Sequence, residues 1–109
     1  MNPSFSLDVS RSGEVSVARL AGDVDLANVG EIEARLADGA GGTGAMVIDL
    51  GRVSYMDSTG FGMLERLSAM RPLQVVLPPG ALVHRAFAVT GLAQLVPVFD
   101  TLEDALKAR

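Results

Sequence analysis

From Ser4 to Ser10 the chain alternates, with Phe5, Leu7 and Val9 apolar and Ser4, Ser6, Asp8 and Ser10 polar. A period of two sends successive side chains to opposite faces, so this segment is expected to form a strand buried on one face. Ser12-Gly13 supplies a turn, and Val15 to Ala21 is β-branched and apolar enough to pair back as the second strand of a hairpin ending at Gly22. Asp23-Val24-Asp25 then reads as a loop. Between Ala27 and Ala37 the period lengthens. Val29, Ile32 and Leu36 recur at helical spacing with Glu31, Glu33 and Arg35 on the other side, the pattern of an amphipathic helix.

A glycine-rich break at residues 39–44 leads into Ala45 to Leu50, a nearly continuous apolar run expected of a central strand covered on both faces. A second helix should begin near Ser58, with Asp57 or Ser58 as its N-cap, carry Phe61, Leu64 and Leu67 inward, and stop at Pro72. Leu73 to Leu77 is a short strand and Pro78-Pro79-Gly80 a loop. Leu82, Ala86 and Val89, with Val83 and Phe87, predict a third, largely apolar helix ending near Gly91. Val96 to Phe99 suits an edge strand, where Pro97 is tolerated. Thr101 and Asp104 resemble a capping box opening a last short helix with Leu102, Ala105 and Leu106. This order predicts an α/β fold, a mixed sheet with right-handed parallel crossovers in its second half and helices packed on it.

Composition narrows the possible functions. At 109 residues the chain has the length of one domain, residues 1–109, which buries roughly 65% of its unfolded surface. The absence of cysteine excludes disulfides, thiolate metal sites and a thiol nucleophile. No leader-like pattern opens the sequence and no window approaches the ~20 apolar residues of a membrane span, which points to a cytoplasmic address without membrane attachment. A net charge of −4, with one Tyr, four Phe and no Trp, argues against direct contact with nucleic acid.

Several motifs fit chemistry only superficially. Gly39 to Gly44 matches the G-x-G-x-x-G dinucleotide fingerprint, but it follows a helix and precedes a strand, the reverse of what that site requires. Asp57-Ser58-Thr59-Gly60 misses the aspartic-protease triplet by one residue, and it opens a helix whereas those sites sit on all-β scaffolds. His84 is the sole histidine, which excludes a two-histidine zinc site. Asp23, Asp25, Glu31 and Glu33 are better explained as acidic residues complementing a helix N-terminus than as a metal or acid–base cluster. No metal, cofactor or catalytic centre is expected.

The segment Val47 to Gly62 is different. A buried strand runs out into a loop that ends at a helix N-terminus displaying two adjacent hydroxyls, Ser58 and Thr59, between flanking glycines. Backbone N–H groups at such a terminus can receive a phosphate, and equally Asp57 and Ser58 can simply cap the helix.

This segment, with Asp49-Leu50 followed by Met56-Asp57-Ser58-Thr59-Gly60-Phe61-Gly62, resembles the signature of STAS domains, in particular bacterial anti-sigma factor antagonists (anti-anti-sigma factors). Leu20-Ala21-Gly22-Asp23-Val24-Asp25 is similar to the G-x-[LV]-D loop of that family, and Thr90-Gly91-Leu92 with Val98 to Ala105 is similar to its carboxy-terminal end. The resemblance implies a mixed sheet of four or five strands with about four helices packed mainly on one side, a single pair of layers. It also implies that Ser58 is a phosphoacceptor, with Thr59 a possible second. The partner-binding edge it implies comprises Asp23, Asp25 and Asn28 together with Met56, Asp57, Ser58, Thr59, Gly60 and Phe61. Unmodified, that edge would bind an anti-sigma factor that is also a serine kinase and so free a sigma factor. Phosphorylation would switch binding off and a phosphoserine phosphatase would restore it. The alternative is a non-catalytic STAS scaffold or adaptor, in a signalling assembly or beside a transporter, in which Ser58 is only a cap. Two departures from the family pattern bear on partner choice. The stretch from Gly62 to Leu73 is shorter than usual, and Leu26-Ala27-Asn28-Val29 replaces a small hydroxyl residue.

Overall fold

A computed structural model of the protein describes residues 4–38 and 44–108; the fingerprint-like match at 39–44 lies outside them except for Gly44. The alternating segment forms β1 (Phe5–Ser12), which turns at Gly13, with φ +62°, and pairs antiparallel with β2 (Val15–Val24). There follow α1 (Val29–Asp38), β3 (Met46–Met56), α2 (Ser58–Met70), β4 (Leu73–Val76), α3 (His84–Val89), a 3₁₀ turn over Leu92–Gln94, β5 (Val98–Phe99) and α4 (Leu102–Lys107). The sheet order is β1-β2-β3-β4-β5, with every pair after the first parallel. β3 is central, where its apolar run was expected to lie.

Three successive crossovers each advance one strand in the same direction, so α1, α2 and α3 share one face. There Ile32 and Leu36 of α1, Met63, Leu64 and Leu67 of α2, and Phe87 of α3 close on Leu20, Ile48, Leu50 and Val75. Phe5, Leu7 and Val9 pack against the same core from β1. The fourth helix takes the opposite face, where Ala105, Leu102 and Leu106 cover Val47 and Val76. β3 and β4 are apolar at both parities, so their second face also needs a cover, and α4 adds one to the pair of layers. β1 and β2 present Ser6, Asp8 and Arg19 to that side, which can stay wet.

Three local expectations change. Asp23 and Val24 belong to β2 and not to a loop, because β3 continues past Leu50 to Met56 and keeps pairing with it, Asp23 with Tyr55 and Val24 with Met56. The β2–β3 register shifts twice, between Arg19 and Ala21 and between Gly22 and Asp23, each time with one additional residue on β3. Each bulge reverses side-chain parity, so the inward residues run Ile48, Leu50, then Val53, then Met56. Asp49 Oδ1 accepts the Gly51 N–H at 2.8 Å beside the first bulge. Leu82, expected in the third helix, lies before it, and Leu82 and Val89 are 75% and 81% exposed. The helix has only six residues, so one short stripe, Val83 and Phe87, reaches the core.

Arg71, just beyond α2, is buried, with Nε donating to Gly44 O at 2.6 Å and Nη1 to Leu36 O at 3.1 Å, so it ties the end of α1 to the approach to β3. At the other end of the sheet, Gly22 has φ +92°, and a Cβ there would lie 2.4 Å from Ser4 O. Gly22→Ala is therefore expected to cost at least about 2 kcal/mol, from the positive φ and the backbone overlap together, read as a lower urea midpoint with unchanged slope.

Candidate functional site

β2 and β3 are parallel and end level with each other at Val24 and Met56. The turn after β2 and the turn into α2 therefore leave the sheet side by side, at the carboxyl ends of the strands where α/β sheets commonly bind partners. The last rung between them is Asp57 N–H to Val24 O, 3.1 Å.

Asp57 is the N-cap of α2, in extended conformation with φ −92° and ψ −174°. Its Oδ1 accepts from Thr59 N at 2.9 Å and Gly60 N at 3.4 Å, and also from the Thr59 hydroxyl. Its carbonyl accepts from Gly60 N at 3.0 Å and Phe61 N at 3.3 Å. The Thr59 and Gly60 amides, two of those a phosphate would seek at this terminus, are thus already engaged by Asp57. The Thr59 hydroxyl is the chief influence holding the Asp57 carboxyl below the usual aspartate range. Burial opposes it, and the backbone amides of Thr59, Gly60 and Leu26 assist. Ser58, first residue of the helix, is exposed, whereas Thr59 is half-buried.

Gly60 is buried and lets the first turn of α2 lie directly on the strands, since a Cβ there would sit 2.4 Å from Met56 Cγ and 3.0 Å from Val24 Cγ1. Phe61, half-buried, meets Phe87 edge-on at 6.2 Å between ring centroids. The neighbouring turn is closed by its own side chains. Asp25 Oδ1 accepts from Ala27 N at 3.0 Å and Asn28 N at 3.2 Å, while Asn28 Oδ1 accepts from Asp25 N at 3.0 Å. Asn28 Nδ2 donates to Ser4 Oγ at 2.9 Å and Asp23 O at 2.8 Å.

The structure brings Asp25, Asp57, Ser58, Thr59 and Phe61 to one edge, with Asp23 half-buried in the last turn of strand behind them. It removes three residues from the expected binding surface. Met56 is in the core because the second bulge turns it inward, Gly60 is a buried spacer above it, and Asn28 is buried as a clamp on the turn. Sequence reasoning missed two exposed apolar residues near the strand ends: Leu26, 76% exposed in the turn after β2, and Tyr55, 54% exposed opposite Asp23. A large apolar residue inside an acidic loop was the available signal for Leu26. The acidic residues of α1 do not converge with those of the loop. Glu33 is held by Arg66 of α2, with Nη2 at 2.6 Å, and that guanidinium lowers its pKa. Among the described residues no group of three or more His, Cys, Asp or Glu is placed to hold a metal ion, and no helix is long and apolar enough to cross a membrane.

The family model of the STAS domain matches residues 6–105. The chain belongs to the STAS domain family. This STAS domain is 29% identical, over 107 residues covering 94% of the chain and 88% of the relative, to the anti-sigma-F factor antagonist RsfB of Mycobacterium tuberculosis. A crystal structure of an anti-sigma factor antagonist from Mycobacterium paratuberculosis superposes with a TM-score of 0.82 at 29% identity, covering 96% of this chain and 93% of that one. The Bacillus cell fate determinant SpoIIAA in its phosphorylated form gives a TM-score of 0.59 at 25% identity, covering 94% and 98%.

The close seat of Gly60 makes the site sensitive to a single methyl group. Gly60→Ala is expected to destabilise the STAS domain by about 1–3 kcal/mol, because Met56 and Val24 must shift in a filled core. Thermal unfolding monitored by circular dichroism reads the loss as a lower midpoint.

Proposed function

We propose that this STAS domain is an anti-sigma factor antagonist whose unmodified form binds an anti-sigma factor, releasing a sigma factor, and whose binding is switched off by phosphorylation of Ser58. The observation that carries this reading is the contrast at the start of α2, where Asp57 and Thr59 are engaged with each other and Ser58 is presented to solvent. The resemblance to proteins named as anti-sigma factor antagonists over nearly the full chain supports the class of partner. One of the similar structures is itself a phosphorylated protein.

The kinase in this reading is the anti-sigma factor, which transfers the γ-phosphoryl group of ATP to Ser58 Oγ with ADP as leaving group. A phosphoserine phosphatase reverses the mark. The STAS domain is then a kinase substrate and binding module and not a catalyst, acting in the cytoplasm with no contact to nucleic acid.

Phosphate adds about −1.5 to −2 charges at pH 7. With the Thr59 and Gly60 amides committed to Asp57, that charge stays at the surface, beside the carboxylates of Asp57 and Asp25. The helix N-terminus tolerates it, with a favourable dipole contribution of roughly 0.3–1 kcal/mol at an exposed site. A partner packed over Leu26, Tyr55 and Ser58 does not, since like charges across a desolvated contact cost several kcal/mol and each ~1.4 kcal/mol is tenfold in affinity.

Incubation with ATP and the candidate anti-sigma kinase, followed by intact mass and site mapping, should place one phosphate on Ser58. Ser58→Ala is expected to keep partner binding, and Ser58→Glu to bind at least about tenfold more weakly. Equal affinity of wild type, Ser58→Ala and Ser58→Glu overturns the switch. A protein that never acquires phosphate favours the scaffold or adaptor reading.

A further inference from the structure

Two hydroxyls adjoin at the start of α2, and their surroundings differ. Ser58 points outward from the first helical position. Thr59 donates its hydroxyl to Asp57 Oδ1, the same oxygen that takes the Thr59 and Gly60 amides. An oxygen accepting three donors is fixed in direction, and the side chain that supplies the third is itself held and half-buried.

We propose that Thr59 is a positioning residue and not a second phosphoacceptor: its hydroxyl locks the Asp57 carboxylate over the first amides of α2, leaving Ser58 as the one hydroxyl presented at this edge. The inference rests on the reading of Ser58 as acceptor, although the locking contact exists whether or not Ser58 is ever modified.

Two consequences follow from that contact. A phosphoryl group on Thr59 Oγ1 would remove the proton it donates and set a dianion against the carboxylate that now accepts it, breaking the cap of its own helix. Without the hydroxyl, Asp57 loses the strongest of the interactions that favour its anionic form, so it should take up a proton at higher pH. The neighbouring element that packs against Asp57, the end of β2 and its turn, carries Asp23 and Asp25. α3, which meets α2 through Phe87, carries His84 and Arg85 in its first turn. On α2 itself the first ionisable residue after Asp57 is Glu65.

The test compares wild type, Thr59→Val and Thr59→Ser, each also with Asp25→Asn to remove a carboxylate of the neighbouring turn. The readout is the Asp57 side-chain carboxyl resonance followed by NMR against pH. Thr59→Val should shift the Asp57 titration to higher pH and Thr59→Ser should restore it, a difference that lost packing alone would not produce. In parallel, Ser58→Ala treated with ATP and the kinase should take up no phosphate. Phosphate on Thr59 in that variant, or identical Asp57 titration in Thr59→Val and wild type, overturns the proposal. Should wild type itself take no phosphate, the acceptor reading of Ser58 fails, and the titration alone then decides the role of Thr59.

Discussion

Asp57 joins the end of β2 to the start of α2 at the point where β3 leaves the sheet. Its N–H completes the last rung to Val24, its carbonyl begins the helical ladder of α2, and its carboxylate closes the first turn through Thr59 and Gly60. A helix leaves its first amides without partners, and a cap that satisfies them from within the chain makes the terminus self-sufficient. With the Thr59 and Gly60 amides engaged by Asp57, a phosphate on Ser58, as proposed, would add charge at the surface and leave that cap in place. On the proposed reading, that constraint would let one residue change its charge while the structure around it has no cause to rearrange.

Most of the architecture was legible because hydrophobic period and turn chemistry agreed. The alternation at Phe5, Leu7 and Val9, the helical spacing of Ile32 and Leu36, and the unbroken run before Leu50 each correspond to the element found there. The second half of β3 was not legible. Its two bulges place Leu50, Val53 and Met56 inward at intervals of three, a spacing that resembles neither a strand nor a long helix, and the strand was read as ending early. α3 failed for the opposite reason. Leu82 and Val89 share a helical spacing with Ala86, but the helix begins only at His84, after Leu82, and at less than two turns it shows the core one short stripe, Phe87 with the N-cap residue Val83.

At the candidate site, chemistry survived the translation into space better than exposure did. Asp25, Asp57, Ser58 and Thr59 share one edge, as their order beside the strands suggested. Met56, Asn28 and Gly60 are in the same neighbourhood but face inward, for a parity reversal, a buried amide clamp and a close backbone approach are all invisible to a motif. The choice of cap was open between Asp57 and Ser58 in the sequence, and only the hydrogen-bond directions distinguish them. The exposed Leu26 and Tyr55 have a similar status. Apolar residues at the rim of a charged edge are what a docking partner would cover; Leu26 had its acidic surroundings as a signal, and Tyr55 had none in period or composition.

The most direct check on this account is a pair of amide correlation spectra of the STAS domain, recorded before and after stoichiometric phosphorylation of Ser58 at pH 7. Shifts confined to the turn around Asp25 and the first turn of α2, with the resonances of β1, β4 and α4 unmoved, are the expected result. Changes spread through the sheet, or lost dispersion, would contradict it, because the added charge would then be breaking the fold and not merely altering one edge.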